Sequence, residues 1–324
     1  MTEDKPEKRY SAKIIGTPSN PDELEFLPAF LEFGPMEGLG RPQTLAAGEL
    51  ILSIGGVGSG PHQILGTGVM VAPGLLLTAA HVIEEIQYSG LTPVFHSYLE
   101  NHGMRVWRPN EQQIAQGVAE EVLFGTNPQK ITSDITMFSC DLVSDSHNQY
   151  PVSYAQIDIC LPQIGDELWA VGYRAGEISD NGTRLGIIAS RGKVTACYPY
   201  GRGRDLHSPC IEVAMHTFGG MSGGPVFNSD GRLVGIVSKS LESDDFNGPT
   251  YVTLLWEALR FEVSADWPPD MWPDRKASLL VAQELEFAEI RGPVRVEGDG
   301  TINLNIPDED LRDALGRDGQ PLRV

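Results

Sequence analysis

Short apolar runs cut apart by glycine and proline dominate the chain from Glu49 onward, and they narrow its fold more than any other feature. Leu50-Ile51-Leu52-Ser53-Ile54, Val69-Met70-Val71, Leu75-Leu76-Leu77-Thr78, Leu168-Trp169-Ala170-Val171 and Ile211-Glu212-Val213-Ala214 all read as strands. Pro73-Gly74 and Asn228-Ser229-Asp230-Gly231 stand between such runs as turn signals. Many short strands with this punctuation form an antiparallel sandwich or barrel. Residues 82–130 interrupt the pattern with polar, aromatic and helix-like stretches. Val252 to Leu259 has helical spacing through Leu255, Ala258 and Leu259.

Both ends differ from this middle. Residues 1–45 are rich in Pro, Gly and acid and carry one apolar cluster, Phe26-Leu27-Pro28-Ala29-Phe30-Leu31. They read as an extension strapped onto a neighbouring domain. The last stretch, 264–324, opens with the linker Trp267-Pro268-Pro269-Asp270-Met271-Trp272-Pro273. A hairpin turning at Gly298-Asp299-Gly300 and a helix starting at Pro307-Asp308 are expected after it. No internal repeat is present.

The chain has 324 residues, a formal charge of −20 and 41% hydrophobic residues. Its length allows one large or two smaller domains with a substantial core. The negative charge opposes general binding to nucleic acid or anionic membranes. No window approaches the roughly 18 consecutive apolar residues that span a bilayer. The N-terminus has no apolar stretch of the secretory kind, and four cysteines are too few for a disulfide scaffold. The expectation is a cytoplasmic protein with free thiols.

The strongest chemical signal is Gly219-Gly220-Met221-Ser222-Gly223-Gly224-Pro225-Val226-Phe227. Glycines around a serine expose its hydroxyl and let backbone N–H groups converge on one point, as a nucleophile beside an oxyanion site requires. The same residues satisfy the Gly-x-Ser-x-Gly elbow of α/β-hydrolases, which needs a later histidine. All seven histidines precede Ser222, so that option fails. An upstream base is offered by Leu77-Thr78-Ala79-Ala80-His81-Val82. The first aspartate after it is Asp134, in Ser133-Asp134-Ile135-Thr136-Met137-Phe138. A buried carboxylate there would orient the imidazole; Asp141 and Asp158 compete for that place.

Together these residues resemble the trypsin-like, chymotrypsin-fold serine peptidases over about residues 46–263. Gly66-Thr67-Gly68, Leu77 to His81, Asp134 to Met137, Gly220 to Pro225 and Gly235-Ile236-Val237-Ser238 follow the family order. Leu161 to Asp166 followed by Ala170-Val171-Gly172-Tyr173 resembles the crossing between its two barrels. The resemblance implies a mainly β fold of two six-stranded antiparallel barrels, about 46–150 and 151–263, with N- and C-terminal extensions. It implies Ser222 as nucleophile, His81 as base and Asp134 as its orienting acid. It also implies an oxyanion hole from the N–H groups of Gly220 and Ser222, and Ser238 as a hydroxyl supporting Asp134. The substrate would be a protein or peptide, with no metal or cofactor.

Two departures separate this chain from the digestive members. Their activating aspartate just before the serine is Met221 here, and no cysteines bracket the nucleophile. Both features look more like HtrA-type and other bacterial intracellular members, so the uncut chain is expected to need no cleavage at Ile54-Gly55. The 264–324 tail is too short for the peptide-binding module those enzymes often carry. It is expected to pack on the barrel or to dock a regulatory protein. The pocket floor would be His216, with Thr217, Ser238 and Ser240 as its neighbours. That set implies no preference for Lys or Arg and a weak one for acidic or polar residues.

Other signals are weaker. His81-Val82-Ile83-Glu84-Glu85 is one residue short of a zinc pattern, and Gly55 to Gly60 lacks the end of a phosphate loop and reads as a flexible connection. Arg202 and Arg204 read as solvated surface. The rival function is a catalytically silent scaffold that keeps the peptidase fold and binds a protein partner.

Overall fold

The computed structural model describes residues 10–12, 24–29, 31, 39–40, 49–58, 62–99, 103–114, 121–124, 127–130, 133–143, 151–174, 176–178, 186–202, 206, 208–240 and 249–315. Most of the 1–45 extension and Arg204 lie outside the described residues.

The first barrel is built from β1 (Ile51–Val57), β2 (His62–Ala72), β3 (Leu75–Thr78), β4 (Thr92–Leu99), β5 (Gly103–Ile114) and β6 (Thr136–Leu142). Antiparallel pairing runs β1-β2-β3-β6-β5-β4 and returns from β4 to β1. The second barrel contains β7 (Glu167–Tyr173), β8 (Ile187–Tyr198), β9 (Cys210–Ala214), β10 (Pro225–Phe227), β11 (Leu233–Ser240) and β12 (Thr250–Leu254). It closes in the same cyclic order, β7-β8-β9-β12-β11-β10. Closure removes the exposed edges that a sheet of this size would otherwise present. This is the mainly β, two-barrel architecture expected from the sequence.

Burial follows from closure. β3 is buried at every position and β1 at all but its last, because one face of each strand lines a barrel and the other is covered by neighbours. The Pro73-Gly74 turn joins β2 to β3, with Gly74 at a φ of 71°. Ile54 and Gly55 lie inside β1, paired with β2 on one side and β4 on the other, so the bond between them is locked in the barrel wall.

Three expectations need correcting. Residues 92–99 and 103–114 form β4 and β5, not mixed structure, because cross-strand pairing and burial outweigh their polar composition. The helical spacing at 252–259 covers the end of β12 and a 3₁₀ turn, Leu255–Arg260, that tucks Leu255, Ala258 and Leu259 into the core. Gly55, Gly56 and Val57 are strand residues and not part of a flexible connection.

Terminal segments fasten to this frame. Leu24–Ala29 runs parallel to Val152–Ala155, and Phe26 is buried against the edge of the Trp267 ring, which also meets Trp107. Ile157–Asp158 lies between β11 and Ile290–Arg291. The buried Arg232 guanidinium donates to Glu289 at 2.9 Å and ties that segment down. Beyond it come a hairpin, Val294–Val296 with Ile302–Leu304, and a helix, Asp308–Leu315. Ile306 and Leu311 pack on the second-barrel core. Among the described residues no helix is long and apolar enough to cross a membrane.

Strand β4 carries an ionisable group in the first barrel. His96 is 5% exposed, with its ring centroid 4.8 Å from that of His62 on β2 and 6.5 Å from that of Tyr98. Burial, with a smaller contribution from His62, pushes its pKa down to about 4. Protons therefore prefer the unfolded chain, where the ordinary value is about 6.5. Stability should fall as pH drops from about 6.5 toward 4, by about 3 kcal/mol if the whole shift is realised. Urea titrations at pH 7.5, 5.5 and 4 should show this fall, and His96→Phe should flatten it. An equal fall in the variant would contradict the assignment.

Candidate active site

Strand β3 ends at Thr78, and α1 (Ala80–Tyr88) begins almost at once. Ala79 and Ala80 are buried, and their small side chains let the helix start close under the neighbouring loops. His81 occupies the first turn. Its backbone N–H donates to Asp134 Oδ1 at 3.1 Å, so the carboxylate satisfies an N-terminal helix donor and sits at the positive end of the helix. The same carboxylate accepts from His81 Nδ1, at 2.8 Å to Oδ2 and 3.0 Å to Oδ1. Backbone and side chain of His81 are thus clamped by one group.

Asp134 precedes β6 and is itself held from the second barrel. Ser238 Oγ, on β11, donates to Oδ2 at 2.5 Å, and the Asp134 N–H donates to Ser208 Oγ at 2.8 Å. The competing carboxylates are engaged elsewhere: Asp141 takes Arg108 and Asn110, and Asp158 takes Asn228. Burial alone would lower the His81 pKa. The Asp134 hydrogen bond and charge outweigh it, with help from Glu85 and Glu84, and hold the imidazole above its ordinary value.

Ser222 lies in the loop between β9 and β10. Phe218 O accepts the Met221 N–H at 3.0 Å, and Gly220, third in that four-residue turn, has a φ of 92°. A positive φ there is the mark of a type II turn and suits glycine. Gly223, at a φ of 78°, passes so close to Thr78 Oγ1 and Ala79 N that a Cβ would overlap both. The serine loop is therefore pressed against the chain leading into His81. Among the described residues the N–H groups of Gly220 and Ser222 find no carbonyl acceptor, whereas those of Gly223 and Gly224 go to Val237 and Met221.

Thr67, on β2, joins the barrels at this point. Its N–H donates to Ser222 O at 2.8 Å and its Oγ1 to Gly220 O at 2.7 Å, while the Tyr173 N–H donates to Oγ1 at 2.9 Å. The sequence signals only a Gly-Thr-Gly triplet here, and nothing in it marks the hydroxyl as a cross-barrel contact. Ser208 carries no sequence signal at all.

Of the expected pocket residues, His216 and Thr217 run directly into the Phe218–Met221 turn. Thr217 Oγ1 lies 3.0 Å from Thr250 Oγ1, and Thr250 is the strand partner of Ser240. The His216 ring meets the Phe218 ring edge-on, with centroids 4.5 Å apart. Arg174, another residue the sequence reading missed, places its guanidinium 5.4 Å from the Phe218 centroid. The Ser238 hydroxyl is directed to Asp134. Arg202 corrects a smaller expectation: it is half-buried, pairs with Glu212 and lies over Tyr251, and is not merely solvated surface.

Solved structures that match the chain include the MamO protease domain of Magnetospirillum magneticum, at 15% identity and a TM-score of 0.43, covering 65% of this chain and 95% of that one. A serine endoprotease from Yersinia pestis matches at 18% identity and a TM-score of 0.40, covering 66% and 61%. Neuropsin, a serine protease of the limbic system of mouse brain, matches at 16% and 0.45, covering 67% and 94%. No curated protein matches significantly. The model of the trypsin-like peptidase domain matches residues 66–236, more than half of the chain and the whole stretch from Thr67 to Ser222, and the chain belongs to that family.

Proposed function

We propose that this protein is a serine endopeptidase that cleaves peptide bonds through an acyl-enzyme on Ser222. The observation that carries the reading is the Ser238–Asp134–His81 hydrogen-bond chain set against the loop that presents Ser222. An ionised carboxylate only accepts, so the proton between Asp134 and His81 belongs to Nδ1. The neutral imidazole then offers the lone pair of Nε2 as base.

In this mechanism Ser222 Oγ attacks the scissile carbonyl carbon as His81 Nε2 takes its proton. The carbonyl oxygen becomes an oxyanion that the N–H groups of Gly220 and Ser222 bind. Collapse releases the amine, which leaves with the proton from His81. Water repeats the sequence to free the acid and restore Ser222. Asp134 stabilises the imidazolium formed in between and keeps the ring oriented.

The pocket residues support a specificity other than a tryptic one. No carboxylate stands at His216, and Arg174 adds positive charge beside Phe218. An acidic or polar side chain suits this environment better than a cationic one. The four unpaired thiols fit an intracellular setting, in which substrates must be restricted. Control by a protein docking on either terminal extension belongs to the same reading, and the −20 charge favours a basic partner or substrate segment.

Three outcomes are expected. A fluorophosphonate probe should label the intact chain and leave Ser222→Ala unlabelled; absence of labelling under every condition, candidate partners included, would favour the silent scaffold. The acid limb of kcat/KM should lie above pH 6.5, because His81 must be neutral to act and its pKa is raised. The double variant Glu84→Gln/Glu85→Gln should move that limb to lower pH, and a limb at or below 6.5 in the unmodified protein would contradict the assignment. In a peptide library, cleavage should not concentrate after Arg or Lys, and efficient cleavage after Arg would overturn the pocket reading.

A further inference from the structure

We infer that Thr67 is a positioning residue that holds the oxyanion loop in its working shape through one buried hydroxyl, at a place where the uncharged Met221 side chain offers no ionic anchor. The inference rests on the peptidase reading and adds to it the means by which an uncut chain keeps its site assembled.

Thr67 is completely buried, so every polar group it carries must be satisfied within the protein. Its backbone N–H goes to Ser222 O, and its carbonyl accepts Thr78 Oγ1 at 2.7 Å. Its hydroxyl has one proton to give. The Tyr173 N–H can only donate, so it occupies a lone pair, and the hydroxyl proton is committed to Gly220 O. The proton arrangement is therefore unique. It ties β2 of the first barrel to β7 and to the serine loop of the second.

That bond controls an orientation. Pinning the Gly220 carbonyl sets ψ at Gly220. With φ held at 92°, the direction of the Gly220 N–H follows. The N–H groups of Gly220 and Ser222 flank Met221, whose side chain is buried in the second-barrel core. Its sulfur, 3.4 Å from the Phe218 N, is a weak acceptor with no charge to anchor the loop. Removing the hydroxyl leaves the Gly220 carbonyl and the Tyr173 N–H buried without partners. Rotation of the Gly220–Met221 peptide, which carries that carbonyl, is then the nearest relief, and it takes the Met221 N–H off Phe218 O.

Thr67→Val keeps the shape and removes the hydroxyl, and Thr67→Ser restores it. Crystal structures read the claim without any turnover. In the Val variant the Gly220 carbonyl should turn and the Met221 N–H should leave Phe218 O, and in the Ser variant both should stay. Kinetically, Thr67→Val should lose ~10- to 100-fold in kcat, somewhat less than loss of an oxyanion donor. KM should change by less than about twofold and the acid limb should not move, since His81 is untouched; Thr67→Ser should stay near the unmodified rate. A purely structural role would instead lower the melting temperature and leave kcat per folded molecule unchanged. If Thr67→Val does not fold, Thr67→Cys makes the same comparison with a weaker donor, and an unchanged kcat there overturns the proposal. An unmoved loop in the Val variant also overturns it. A moved loop in a protein whose unmodified form never takes a fluorophosphonate would sustain the positioning claim and sink the peptidase reading alone.

Discussion

Where the two barrels meet, a few polar groups that have left water fix the relative placement of everything chemical. The contacts radiating from Thr67 bind the β2 backbone to the carbonyls of Gly220 and Ser222 and to the first strand of the second barrel. Each such bond adds only about 1 kcal/mol to net stability, whereas a buried donor or acceptor left without its partner costs about 1–3 kcal/mol. The asymmetry matters more than the sum. It makes alternative loop positions expensive without making the fold unusually stable. Thr78 and Gly223 press the serine loop onto the approach to His81, so the two halves of the site cannot drift independently.

Electrostatics follows from that placement. Asp134 is held at the junction from both barrels: its carboxylate accepts from the His81 N–H and Nδ1–H on one side and from the Ser238 hydroxyl on the other, where its own N–H also donates to Ser208 Oγ. Partial burial would leave an isolated imidazole neutral well into the acid range. His96 shows that outcome on β4, where burial and the neighbouring His62 both lower its pKa. At His81 the neighbouring carboxylates reverse it. Two histidines of one barrel are thus pushed in opposite directions, chiefly because Asp134 faces one of them.

Much of this was legible in the sequence because the chemistry constrains it. Turn residues and short apolar runs marked the β fold. Ser222 among glycines, His81 after two alanines and Asp134 at the head of β6 are side chains that few other jobs require in that order. Illegible parts have a common cause, which is that they depend on pairing distant in the chain. Strands β4 and β5 are written in polar and aromatic residues such as His96, Arg105 and Trp107, whose burial exists only once the barrel closes. The spacing of Leu255, Ala258 and Leu259 resembles a helix, yet strand β11 claims Val252 to Leu254 and leaves the rest as a 3₁₀ turn. Thr67 and Ser208 act through a hydroxyl aimed at backbone, and their identity alone does not reveal that use.

If Ser222, His81 and Asp134 act as proposed, the uncut chain already holds a complete site. The most direct measurement is a crystal structure of the intact protein with a peptide boronic acid of acidic or polar P1 residue. A covalent bond from boron to Ser222 Oγ is predicted, with one boronate oxygen at about 3 Å from both the Gly220 and Ser222 nitrogens. A boronate that binds without that bond, or whose oxygen meets neither N–H, would contradict the claim.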